Sequence, residues 1–240
     1  MKLSVYALPT LVPPGSQGPA VVIDVLRATS VMVTALAHGA AAITAVEEIE
    51  DARSLAASYP TDSVLLGGER QALPIPGFDL SNSPREYTPE KVKDKHIILT
   101  TTNGTRALAS LAGIEPLFIG AFLNASAVAK TLAALGQDAM LVCAGTRGRF
   151  TLDDISCAGL IAAQLSRLIP NLELDDLAYT AYFLYQSHAQ NIKHLVSHAQ
   201  HFSYLQSIGL EADINYCLQV DALDLVPKVQ EGTVVLQHLK

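Results

Sequence analysis

The chain has 240 residues, half of them hydrophobic, with no tryptophan and a formal net charge of −7. Such a chain can bury a sizeable core as one large domain or two small ones. Without a basic tract it is a poor match for nucleic acid, and no uninterrupted apolar stretch is long enough for a membrane span.

Residues 2–7 alternate as a strand, and Pro9, Pro13, Pro14, Gly15 and Gly18 then make a loop. Residues 21–25 read as a buried strand, 30–37 as an apolar helix, 42–46 as a further strand and 47–58 as a helix with an acidic front. A strand at 63–66 opens into GGERQALPIPGFDLSNSPREYTPEKVKDK, whose prolines and glycines suit neither a helix nor a central strand. A segment of this length is expected to be functional or mobile. From 96 to 170 the rhythm is strand, loop and helix three times over, the alternation of an α/β fold. Residues 175–208 read as one long or two short helices, and strands or turns are expected near 220–226 and 233–236. The predicted architecture is a single three-layer α/β/α domain over residues 1–240. Its sheet is largely parallel or mixed, with a helical cap or extension from about 175. Cys143, Cys157 and Cys217 lie in apolar contexts with no CxxC and read as buried free thiols of a reducing cytoplasm. The N-terminal MKLSVYALPTLVPPGSQG lacks the long apolar core of a signal peptide.

Apolar runs ending near residues 24, 66, 99, 121 and 144 each lead into hydroxyl, amide, glycine or charged residues. Open α/β sheets bind ligands at the carboxyl ends of their strands, so these clusters are expected to form one site for a small anion with a metal. Asp24 follows AVVI, with Arg27, Thr29 and Ser30 close behind. Two hydroxyls, a guanidinium and a helix start suit a phosphate, or else an ion pair and a cap. Gly67 and Gly68 permit a sharp turn, from which Glu69 can reach a metal, with Arg70 beside it; an ordinary loop is the alternative. Thr101, Thr102, Asn103, Gly104 and Thr105 are polar throughout, and Gly104 admits close backbone approach to a ligand. The run fits neither GxxxxGK[ST] nor GxGxxG. Asn124 and Ser126 include a helix cap, and Asn82 in SNSP suits an Asx turn. Asp153 and Asp154 follow Arg147 and Arg149; they cap a helix or, with Asp24 and Glu69, supply oxygen ligands for Mg2+. His188, His194, His198 and His201 fall on later helices, without HExxH; His194 and His198 can share a face, and His198 is a candidate proton donor.

DVLRATS (24–30), GGER (67–70), GFDLSNSP (77–84), TTNGT (101–105), Asn124 and CAG followed by F-x-x-D-D (143–154) together resemble the 2-phosphosulfolactate phosphatase family. The likeness continues from Leu205 through Gly209, Asp213 and Ile214 to Pro227. It implies a Mg2+-dependent phosphatase that converts 2-phosphosulfolactate to sulfolactate and phosphate, a step of coenzyme M synthesis. The family more often has Glu-Asp at 153–154, which favours Asp154 over Asp153 as ligand. The expected metal contacts are Asp24, Glu69 and Asp154, and the expected catalytic set is Asp24, Arg27 and Asp154. Thr29, Ser30, Arg70, Asn82, Thr101, Thr102, Asn103, Gly104, Thr105, Asn124 and Arg147 would bind substrate, with Arg149 a further candidate for its acidic groups. Attack by an aspartate and attack by water both stay open; Asp24 lacks the DxD spacing of the haloacid-dehalogenase phosphatases, which favours water. The alternatives are a phosphatase for another small phosphorylated hydroxy acid and a protein that binds an anionic metabolite without turnover. The apolar, Tyr-rich face around Tyr179 and Tyr185 can pack on a second subunit, making a homo-oligomer, or on the core.

Overall fold

The computed structural model describes residues 1–236. Its strands are β1 (Lys2–Tyr6), β2 (Ala20–Ile23), β3 (Ala42–Ala45), β4 (Val64–Arg70), β5 (Leu73–Pro74), β6 (His96–Thr100), β7 (Leu117–Gly120), β8 (Ala139–Cys143), β9 (Glu173–Leu174), β10 (Pro227–Gln230) and β11 (Thr233–Leu236). Its helices are α1 (Ala28–Ala37), α2 (Ile49–Ala56), α3 (Pro89–Val92), α4 (Gly104–Ser110), α5 (Ala125–Leu135), α6 (Leu152–Leu168), α7 (Asp176–His188), α8 (Ile192–Val196), α9 (Gln200–Ser207) and α10 (Glu211–Cys217).

All strands join one mixed sheet in the order β5-β4-β6-β3-β11-β10-β7-β2-β8-β1-β9. The central strands β2, β7 and β8 are buried along their whole length, as strands covered on both faces must be. Their side chains alternate between two apolar layers. Val21 and Ile23 face a layer completed by α5 and α6, while Ala20 and Val22 face one completed by α1 and α4. Helix α1 lies inside the second layer and buries every residue from Ala28 to Leu36, which explains its apolar composition on all sides. The predicted α/β class and mixed sheet are therefore observed, with α7 to α10 as the helical C-terminal region.

The tail does more than add helices. Strands β10 and β11 form an antiparallel hairpin inserted between β7 and β3, so it stitches the parallel block β4-β6-β3 to the parallel block β7-β2-β8-β1-β9. Its connection is Glu231-Gly232, both at positive φ, the backbone form that suits a two-residue hairpin. Of the strands or turns expected near 220–226, bends are present at 220–221, and the strand starts at Pro227. Residues before it run irregularly over the start of α5, where Asp221 accepts from both the backbone N–H and the hydroxyl of Ser126. The helical region expected over 175–208 is broken into α7, α8 and α9, and α10 follows unforeseen.

GGER is strand, not loop. Strand β4 continues through Arg70, and a side chain at Gly68 would overlap the Thr100 carbonyl of β6. The glycine there serves close strand approach rather than the sharp turn expected. The irregular segment after it is anchored: the backbone N–H groups of Asp79 and Leu80 both donate to the Leu66 carbonyl, and Tyr87 Oη donates to the Ser81 carbonyl. On α7, Tyr182 and Tyr185 pack against the core, while Tyr179 and Phe183 point outward and stack on each other.

Helix α7 crosses α6 at Gly159, where any β-carbon would overlap the Ala181 carbonyl. Gly159→Val is therefore expected to destabilise by about 1–3 kcal/mol, the usual range for overpacking. For a chain of this size that is a fall in Tm of several degrees, readable by thermal melting.

Candidate active site

The carboxyl ends of β2, β4, β6 and β8 meet, although the hairpin makes the two parallel blocks run in opposite senses through the ladder. The contact is close: a β-carbon at Gly104, the first residue of α4, would lie 2.7 Å from Asp24 Oδ2. Only glycine lets the turn after β6 press on the turn after β2.

Both turns close by the same device. Thr29 Oγ1 donates to the Asp24 carbonyl (2.8 Å) and accepts the Asp24 N–H (3.0 Å). Thr105 Oγ1 does the same with the carbonyl and N–H of Thr101, and Ser30 Oγ donates to the Val25 carbonyl. The hydroxyls of Thr29, Ser30 and Thr105, expected to bind substrate, are thus engaged in shaping the turns, and Thr101 Oγ1 accepts the Thr105 N–H. Thr102 Oγ1, by contrast, is buried with no partner among the described residues.

Glu69, 6% exposed, links β4 to β6. Its Oε1 accepts the Thr102 N–H at 2.7 Å and its Oε2 the Ala72 N–H at 2.6 Å. Ala72 belongs to the Gln71-Ala72 turn between β4 and β5, where both residues hold positive φ without glycine. Each left-handed residue costs about 1 kcal/mol, strain of the kind that accumulates at functional sites. Arg70 turns away: its guanidinium donates to the carbonyls of Glu69 and Glu47 and to Thr100 Oγ1.

Asp153 and Asp154 open α6 and differ in what they touch. Asp154 Oδ1 accepts the Val25 N–H and its Oδ2 the Gly145 N–H, both at 2.9 Å, so it clamps the ends of β2 and β8. Asp153 Oδ1 is buried with no partner among the described residues. The observed arrangement therefore makes Asp153, not Asp154, the carboxylate with a free oxygen. Burial pushes Asp24 up to about 7, and the Asp153 and Glu69 carboxylates add to the rise. Burial also raises Asp153, against the charge of His201, and raises Asp154, where Asp153 and Asp24 add to it. His201 comes closest to the site among the helical histidines, with Nε2–H donating to the Leu26 carbonyl at 2.9 Å. His198, the expected candidate, instead packs edge-on against His194 on an exposed face.

Other candidates separate. Asn124 is fully buried, and its side chain bonds to the backbone of Ala121, Ile119 and Leu225, so the end of β7 offers it no ligand role. Asn82 makes no Asx turn; Ser81 Oγ accepts the Ser83 N–H instead, and Asn82 Oδ1 is buried with no partner among the described residues. Arg147 is exposed, and its N–H donates to Asn103 Oδ1, bringing the loop after β8 to the turn after β6; Arg149 is exposed as well. Arg27 is 3% exposed and pairs with Asp213 Oδ2 at 2.6 Å; its Nη2 donates to the Ala72 carbonyl at 3.1 Å. Ser83 Oγ donates to Asp213 Oδ1 at 2.7 Å. Sequence reasoning assigned no role to Asp213 or Ser83. Asp213 lies 186 residues from its arginine, and nothing local signals the pair.

As a metal site the cluster offers oxygen only. No group of three or more His, Cys, Asp or Glu side chains among the described residues is arranged to hold an ion. One or two carboxylates with retained water is the usual way to hold Mg2+, and the free Asp153 Oδ1 beside Asp24 fits it.

Strand ends that gather buried carboxylates, a buried arginine and an unpartnered hydroxyl define an α/β enzyme site for an anionic substrate. A family model described as 2-phosphosulpholactate phosphatase matches residues 7–232. A "Probable 2-phosphosulfolactate phosphatase" of Caldanaerobacter subterraneus subsp. tengcongensis is 48% identical over 89% of this chain and 88% of its own length. Proteins of the same description from Clostridium beijerinckii and Clostridium botulinum are 43% and 42% identical, over 91% and 90% of both chains respectively. The chain belongs to the 2-phosphosulfolactate phosphatase family, whose members are phosphoric monoester hydrolases. No helix among the described residues is long and apolar enough to cross a membrane.

Two outcomes follow from these charges. Removing one partner of a buried ion pair strands the other charge, so Asp213→Leu should destabilise by about 3–5 kcal/mol, while Arg27→Met with Asp213→Leu should regain most of it. Denaturant unfolding of the three proteins checks this. Between the ordinary aspartate value of 3.8 and about 7, the folded chain holds protons on Asp24 that the unfolded chain has lost. Raised carboxylate values thus contribute stability below this window and lose it as pH rises through it. Without a divalent cation, Tm should be higher at pH 5 than at pH 8; the reverse slope would show that these carboxylates do not dominate.

Proposed function

We propose that the protein is a Mg2+-dependent phosphatase that hydrolyses 2-phosphosulfolactate to sulfolactate and phosphate, the sulfolactate-forming step of coenzyme M synthesis. The observation that carries the reading is the convergence of Asp24, Glu69 and Asp153 beside buried Arg27, in a chain aligned with this family along most of its length. Three free, buried cysteines suit a reducing cytoplasm.

Asp24 and Asp153 would hold the ion, with Glu69 adding negative charge beside them. When bound, Mg2+ would supply charge that offsets the carboxylates and polarises the phosphoryl group. Asp154 keeps the ends of β2 and β8 in register so that Asp24 stays in place. The unpartnered Thr102 hydroxyl is free to donate to a phosphoryl oxygen, and Asn103 and the backbone at Gly104 border the same space. Arg27, held by Asp213 and Ala72, supplies fixed positive charge without reorganisation, and phosphoryl transfer depends mainly on such positioning. The attacking group is water, since Asp24 lacks the DxD arrangement of a phosphorylated aspartate.

The test is phosphate release from 2-phosphosulfolactate with Mg2+ and with EDTA, on wild type, Asp153→Asn and Asp154→Asn. Wild-type release should be fast and abolished by EDTA. Asp153→Asn should lower kcat by roughly two orders of magnitude, the scale of losing one group that stabilises developing charge, with Tm kept or raised. Asp154→Asn should lower Tm, because one amide cannot accept both backbone N–H groups. EDTA-resistant release would remove the metal from the proposal, and no release would remove the reaction.

A further inference from the structure

Arg27 has a second side. Beyond it lies a cavity of about 340 Å3, whose polar wall is Arg27, Ser81, Ser83, Arg85, Glu86 and Asp213. The sequence clusters supply Arg27, Ser81 and Ser83 to this wall, but Arg85 entered no candidate set. We propose that this cavity receives one of the two acidic groups of the substrate that are not transferred, its sulfonate, and that Arg85 is the residue that selects it. The proposal rests on the phosphatase reading above.

The charges of the wall carry the argument. Glu86 is satisfied internally: its Oε2 accepts the Ser81 N–H at 2.7 Å and its Oε1 the Ser81 hydroxyl at 2.8 Å. Asp213 is satisfied by Arg27 and by the Ser83 hydroxyl. Each carboxylate on the wall therefore already has its own partners. The cations are less fully engaged. A guanidinium carries five N–H donors. Arg27, almost wholly buried, uses one N–H on Asp213 and one on Ala72. The rest find no protein acceptor among the described residues. Arg85 is exposed and pairs with no carboxylate among the described residues. Two guanidiniums with spare donors, one fixed and one free to swing, line the same small space.

The position fits a short diacid. The Ala72 peptide is the partition: its N–H donates to Glu69 in the carboxylate cluster, and its carbonyl accepts from Arg27 on the cavity wall. The cavity and the carboxylate cluster therefore share Ala72 and Arg27 as neighbours. The volume is at the small end for ligand sites, enough for one acidic group with water and too little for a macromolecular partner. A sulfonate has three equivalent oxygens and stays ionised across the working pH of proteins, so it can engage two guanidiniums from different directions. Planar forks of N–H donors are the usual protein answer to such oxyanions.

The test is binding of unphosphorylated probes, so it does not depend on turnover. Sulfolactate, isethionate (sulfonate and hydroxyl) and lactate (carboxylate and hydroxyl) are titrated calorimetrically into wild type, Arg85→Gln and Arg167→Gln in Mg2+ buffer. Arg167 is exposed at the end of α6 and controls for the loss of one positive charge. Sulfolactate and isethionate should bind wild type and Arg167→Gln alike, and Arg85→Gln about tenfold or more weakly, the scale of a lost charged hydrogen bond. Equal sulfolactate affinity in Arg85→Gln and wild type, or no sulfolactate binding to wild type at millimolar concentration, would overturn the proposal. Loss confined to lactate would also overturn it, by making the cavity a carboxylate pocket. Arg85-dependent sulfolactate binding in a protein that releases no phosphate from phosphosulfolactate would sink the hydrolysis and leave the pocket standing.

Discussion

The structure depends on burying like charges together. Asp24, Glu69, Asp153 and Asp154 are each no more than 6% exposed, and burial and mutual repulsion lift Asp24 to about 7. An isolated buried carboxylate is costly enough that it normally takes up a proton. This cluster persists because its members are held by other means. Two of them spend their oxygens on backbone N–H groups, and the Thr29 and Thr105 hydroxyls close the turns that carry the rest. A cation relieves such repulsion directly, so the same arrangement that weakens the fold at neutral pH favours a divalent ion. Stability and ligand affinity are two readings of one electrostatic strain.

The buried Arg27–Asp213 pair extends this logic across the chain. Replacing such a pair with apolar residues is often harmless to stability, so its presence is weak evidence of a stabilising role. Its value here is positional. It fixes a guanidinium next to the carboxylate cluster, and it ties the turn after β2 to α10 and, through Ser83, to the segment after β5. The C-terminal part is accordingly no cap set upon a finished α/β core. It supplies Asp213 to the site and β10 and β11 to the middle of the sheet.

Much of this was legible from residues alone, and the failures have physical reasons. Strand ends rich in polar residues pointed to Asp24, Arg27, Glu69, Thr102, Asn103 and the Asp153–Asp154 pair, with Asp154 preferred, because a polar residue after a buried apolar run has few places to go but the strand end. The sequence could not tell which hydroxyls would be engaged by their own turns. Thr102 and Thr105 look equivalent in TTNGT, yet one is unpartnered and the other closes the loop. GGER was misread because glycine marks both turns and close strand contacts, and only the nearness of Thr100 distinguishes them. Asp213, Ser83 and His201 escaped because their partners are distant in the chain, and pairing across such a separation leaves no local pattern. The inserted hairpin escaped because its strands are short and follow an irregular segment.

Asp153 and Asp154 show how far a motif can carry an argument. Adjacent residues on a helix point about 100° apart, so two neighbouring carboxylates at a helix start cannot do the same work. The family resemblance favoured Asp154 because Asp153 departs from the Glu-Asp pair the family more often has, and the geometry shows Asp154 engaged at both oxygens. A carboxylate that accepts one backbone N–H from each of two strand ends tolerates no change of length, since Glu or Asn would break one bond or the other. A carboxylate with an open oxygen facing a cluster can be longer or shorter by one methylene if an ion or water takes up the difference. The clamp therefore leaves Asp154 no spare oxygen, and its neighbour with the open oxygen is the better place to look for chemistry.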